Sequence, residues 1–278
     1  MWEDAGFQEK AADEFVFVSL DFPRSEEVKA KVPNPERNEE IMRQFGVRGF
    51  PTVFVLTPEG DVVGQTGYLG IPADEYLNNL RELAVEGRKA LEQAKEFATG
   101  YAAAEDKPGY VRQAIELVSG MDASSPGIAD YASVVRKAFE LDPDGSNGLR
   151  TAALAVLLKA GIATDDEIAA ARKVDPKNEA GVLESLVMHD LMQLSKAEQL
   201  EGWTVEAKRL AESGNYHDRE MCQEIFANAA RLAMQFLDDP EMALMFARKA
   251  KELGDLPQPM ASLVEDIISS ATKALEAK

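Results

Sequence analysis

Two kinds of apolar pattern share this chain. Near the N-terminus, β-branched and aromatic residues come in short runs, whereas after about Leu83 alanine and leucine recur at helical spacing. The first run, Phe15-Val-Phe-Val-Ser-Leu-Asp-Phe22, has the composition of a buried strand. Pro23, Pro33 and Pro35 punctuate the next stretch of chain, and Asn34 and Pro35 stand where an N-cap and a first-turn proline belong. They predict a helix over 36–45 with Ile41, Met42 and Phe45 on its apolar side and Gly46 as its stop. Thr52-Val-Phe-Val-Leu56 reads as a second buried strand. Pro58-Glu-Gly-Asp61 is a tight turn, and Val62 and Val63 open a third strand toward Gly67, so the last two strands form a hairpin. A helix from about Ala73 carries Tyr76, Leu77, Leu80 and Leu83 on one side.

Beyond Leu83 no strand is expected. Clusters of Gly, Pro, Asn and Asp break the chain into helical pieces near 107–109, 120–127, 142–148, 161–164, 175–178, 213–215, 238–240 and 254–259. Thr164-Asp-Asp-Glu167 has the spacing of a capping box and should start a helix. Asp142-Pro-Asp-Gly-Ser-Asn-Gly-Leu149 recurs 33 residues later as Asp175-Pro-Lys-Asn-Glu-Ala-Gly-Val182, each copy following one helix and leading into another. That offset suits two-helix repeats, and the Asp-Pro turn resembles the one closing tetratricopeptide repeats, although the aromatic and glycine positions of that consensus do not recur. An irregular helical domain with related turns fits the echo equally well.

Charge and cysteine content narrow the functional classes. With 30 basic and 49 acidic residues the formal charge is −19, a field that repels nucleic acid and anionic membranes. No apolar stretch is long enough to span a bilayer. Cys222 is the one cysteine, so no disulfide can close within the chain; this fits a reducing compartment without assigning one. His217 lies five residues before Cys222, a poor spacing for a thiol–imidazole pair on a helix, and an idle or buried thiol is the expectation. His189 and Asp190, with no thiolate cluster, make a poor metal site; Asp165 and Asp166 belong to a helix's first turn. Met221, Met234, Met242 and Met245, set among Phe226, Phe236 and Phe246, read as packing between helices more readily than as an adaptable binding surface. Gly67-Tyr-Leu-Gly70 lacks the lysine and helix of a phosphate loop. Catalytic, metal-ligating and cofactor-binding residues are therefore expected to number none.

One resemblance covers the first part. The order strand, helix, Gly46-Val-Arg-Gly-Phe-Pro-Thr52, strand, turn, strand, helix over 15–80 resembles the second half of a thioredoxin-like domain. The resemblance implies a cis peptide bond before Pro51, a bond that is essentially a proline feature, and a backbone contact from Phe50 to a bound peptide. It implies that residues 1–12 are the tail of the active-site helix and that the opening strands and Cys-x-x-Cys precede them, so the chain looks truncated or mis-started. It also implies that a strand is missing between 15–22 and 52–56, leaving two free backbone edges. The expected fold is α+β, mostly α: a partial thioredoxin-like α/β domain over 1–84, then an α-helical hairpin, repeat-like domain over 85–278. The expected function is that of the C-terminal portion of a thiol–disulfide oxidoreductase-like protein, redox-inactive as it stands, with Phe50 and Pro51 as peptide-binding residues and a protein or peptide as partner. The alternative is a non-catalytic scaffold whose helical domain binds the partner.

Overall fold

The computed structural model describes residues 5–23, 25–47, 49–194 and 197–276. It is mostly helical, and the chain forms two compact units, Met1–Val135 and Arg136–Lys278.

In the first unit, α1 (Ala5–Ala12), a single turn α2 (Glu26–Lys29) and α3 (Pro35–Gln44) precede a two-stranded antiparallel sheet. α3 ends as its sequence predicts: Gly46 takes φ +61°, and the Val47 amide donates back to the Met42 carbonyl at 3.0 Å. β1 (Thr52–Leu56) pairs with β2 (Val62–Gly67), with Thr52 opposite Gly67, and a register shift after Val55 makes Val63 the extra residue of a bulge. Gly60, at φ +97°, supplies the turn.

The sheet lies on α4 (Ala73–Gly100), where Tyr76, Leu77, Leu80 and Ala84 bury against Val55, Val63 and the α1 residues Phe7 and Ala11. Burying each large side chain of this set stabilises the unit by about 1.5–3 kcal/mol. Contact is closest at Gly87, where a Cβ would lie 1.7 Å from the Val63 carbonyl oxygen. Ion pairs from Lys10 of α1 to Asp74 (2.6 Å) and from Glu14, just after α1, to Arg81 (2.8 Å) tie this part of the chain to α4.

The helix expected from Ala73 runs unbroken through position 84, and α5 (Lys107–Ser119) and α6 (Ile128–Val135) complete the first unit. Phe97 near the end of α4 stacks on Tyr110 of α5 (centroids 4.5 Å apart) and meets Tyr131 of α6 at 5.3 Å.

Residues 15–22 correct one expectation: they form no strand. The composition is right, but among the described residues no ladder joins them to another strand, and a strand exists only through its ladder. Phe15 leans on the core and Phe17 on Phe7 (5.7 Å), while Val16 and Val18 are 93% and 78% exposed.

The second unit is helical throughout its described residues: α7 (Ala138–Leu141), α8 (Leu149–Lys159), α9 (Asp165–Val174), α10 (Val182–Gln193), α11 (Ala197–Ser213), α12 (Arg219–Phe236), α13 (Pro240–Glu252) and α14 (Met260–Glu276). The sequence echo is a structural one. Asp142 and Asp175 share φ, ψ near −139°, 63°, and Gly148 and Gly181 share φ near +77°. Gly145 and Asn178, also 33 apart, both turn left-handed. Each aspartate is buried, and its carboxylate collects backbone amides at the start of the next helix. Those next helices, α8 and α10, pack together through Leu154, Leu158, Val182 and Leu186.

Thr164 and Glu167 form the expected capping box of α9. Glu167 also takes Arg136 at 2.7 Å; burial raises its pKa, but Arg136 and the Thr164 amide outweigh that and hold it below the ordinary value. A larger core joins α10 through α14 around Trp203, Phe226 and Phe246, whose rings are buried. Met221, Met234, Met242 and Met245 pack against that core, which is the packing role their sequence setting suggests. Phe236 alone of the neighbouring phenylalanines is largely exposed. No helix among the described residues is long and apolar enough to cross a membrane.

Candidate peptide-binding surface

The segment Gly46-Val-Arg-Gly-Phe-Pro-Thr52 links α3 to β1; its Arg48 lies outside the described residues. Both ends of the link are fixed. Phe45 packs on Phe54 of β1 with ring centroids 5.1 Å apart, and the Thr52 hydroxyl donates to the Gly49 carbonyl at 2.6 Å. Between them the Phe50–Pro51 peptide bond is cis. Phe50 stands 64% exposed although it is aromatic, stacked on Phe22 at 5.1 Å and 27°. Phe22 is held in turn because the largely buried Asn38 side chain of α3 donates its amide to the neighbouring Asp21 carbonyl at 3.3 Å.

The end of β2 completes the surface. Thr52 pairs with Gly67, so the residues after Gly67 run beside Pro51. A Cβ at Gly67 would come within 2.9 Å of the Pro51 carbonyl oxygen, an approach only glycine permits. Tyr68, Leu69 and Ile71 come next, exposed by 79%, 46% and 36%. β1 bonds to β2 along one edge only, so its other edge carries no ladder among the described residues. Residues 1–84 match the family model of a thioredoxin-like domain. No curated protein and no solved structure matches the chain. Phe50 and Pro51 lie in the linking segment, within the matched residues. Phe22 and Tyr68 were not read as binding residues from sequence: Phe22 counted as strand composition, and Tyr68 fell within Gly67-Tyr-Leu-Gly70.

Of the other candidate residues, Cys222 and His217 meet at a residue of the second unit that sequence reading passed over. Glu184, 2% exposed in the first turn of α10, accepts from four donors: the Asn178 amide (2.7 Å), the His217 and Asp218 backbone amides (3.0 and 2.8 Å) and the Cys222 thiol (3.4 Å). His217 turns its Nε2 to the Asn178 carbonyl at 2.9 Å, so that nitrogen carries the proton. Its imidazole is thus engaged with a carbonyl, and the thiol with a carboxylate. Burial pushes the Cys222 thiol well above the ordinary range, and the charge of Glu184 adds to the effect. This is the electrostatics of a protonated, inert sulfur. The arrangement fastens the loop before α12 to the Asp175 turn.

His189 and Asp190 lie beside Arg172 of α9. Asp190 takes both guanidinium nitrogens of Arg172, at 2.9 and 3.0 Å, with the His189 Nδ1 at 3.3 Å. Burial raises the Asp190 carboxyl, but these partners bring it below the ordinary carboxylate value. Among the described residues no group of three or more His, Cys, Asp or Glu is placed to hold a metal ion. Asp165 and Asp166 lie in the first turn of α9.

Proposed function

We propose that the thioredoxin-like domain of this chain is a peptide-recognition module without dithiol chemistry of its own. The observation that carries the reading is the exposed Phe50 stacked on the half-buried Phe22 beside the edge of β1 that carries no ladder among the described residues, within the residues that match a thioredoxin-like domain. An extended peptide would lay its backbone along Phe50 and Pro51 and its apolar side chains against Phe22 and Tyr68. The chain's single thiol, Cys222, is buried and disfavoured as a thiolate, which supports the absence of turnover. In a longer parent carrying Cys-x-x-Cys, the same surface would present peptides to that dithiol, and the reading becomes that of a thiol–disulfide oxidoreductase-like protein. Intact mass and N-terminal peptides of material from its source decide between the two.

The test is calorimetric titration of the full chain with S-carboxymethylated insulin B chain as an extended, cysteine-blocked peptide. Phe50→Ala and Tyr68→Ala are expected to weaken binding about tenfold, the ~1.4 kcal/mol of an aromatic interface residue. Val205→Ala, exposed on α11, is expected to leave it unchanged. Equal affinity for all four chains, or no binding at all, would overturn the proposal. Insulin reduction by the chain is expected to stay at the no-enzyme rate.

A second reading is favoured by the matched turns at 142–149 and 175–182: the helical unit is a repeat-like scaffold, and partner binding lies there. A partner captured equally by the full chain and by its Phe50→Ala variant would support this reading over the first.

A further inference from the structure

We draw no further inference here: the strongest candidate, the exposed apolar surface joining the 15–22 segment to the free edge of β1, has nothing in the structure to show what covers it.

Discussion

Gly87→Ala sets two well-measured effects against each other. In an isolated helix, alanine is better than glycine by about 1 kcal/mol. Gly87 is an interior residue of α4, so propensity alone predicts a stabilised protein. The packing predicts the reverse. A Cβ there would lie 1.7 Å from the Val63 carbonyl oxygen, 2.4 Å from its carbonyl carbon and 2.6 Å from its Cα. All three are backbone atoms, so no rotamer change relieves the overlap. Restoring ordinary contact of ~3.4 Å to that oxygen requires the helix and the bulge of β2 to part by well over an ångström at a site where interiors tolerate little extra volume. Overpacking of this kind costs about 1–3 kcal/mol, and the forced backbone shift puts this site at the upper end. The net expectation is a loss of roughly 1–2 kcal/mol, read as a lower urea midpoint with an unchanged slope. Gly202→Ala on α11, where a Cβ meets nothing within 4 Å, is the control and should gain stability. A Gly87→Ala protein as stable as the parent or more so would refute the close packing of α4 on β2.

Two further expectations concern the second unit. Glu184→Gln keeps the shape but turns an amide group toward at least one of four hydrogen-bond donors, and should destabilise by about 2–3 kcal/mol in urea unfolding; an unchanged midpoint would show that the carboxylate carries no weight. Acidification should destabilise the protein in a defined window. Glu167, Asp190 and Asp218 all titrate below their ordinary values, 4.5 for the glutamate and 3.8 for the aspartates; in each, burial raises the pKa, and hydrogen bonds with cationic partners overcome it. Groups with depressed pKa stabilise fully above the unfolded values and lose that contribution as pH falls through the folded ones. The thermal midpoint should therefore hold from pH 7 to about 5 and fall below about 4.5, and a midpoint that climbs in that range would contradict these ion pairs.

Much of the fold was legible because its signals are local. The stop at Gly46, the hairpin around Gly60 and the capping box at Thr164 each depend on residues within a few positions of one another, and each forms as read. The echo at 142 and 175 was legible for the same reason, since the aspartate and glycine that shape each turn lie six residues apart. Residues 15–22 failed because a strand is a property of two segments: their composition suits a sheet, but among the described residues no second strand pairs with them. The candidate surface divides in the same way. Phe50 sits in a recognisable motif, whereas Phe22 reaches it from 28 positions earlier and Tyr68 through the strand register. Glu184 was invisible for the strongest version of this reason, since its donors come from residues as far away as Cys222.

The free edge of β1 has a consequence for how copies of the protein treat one another. Exposed edges are commonly blunted by a lysine, a proline or an inward charge, and Thr52-Val-Phe-Val-Leu56 has none of these. What opposes edge-to-edge contact is the charge of −19 spread over the whole chain, a protection that acts at a distance. Its reach shrinks from about 10 Å at 0.1 M salt to about 3 Å at 1 M, so light scattering should rise with salt. Scattering that stays flat would mean the edge is sheltered by something closer than charge. The acidity of this molecule, spread along its whole length, then serves as the colloidal guard of five uncharged residues.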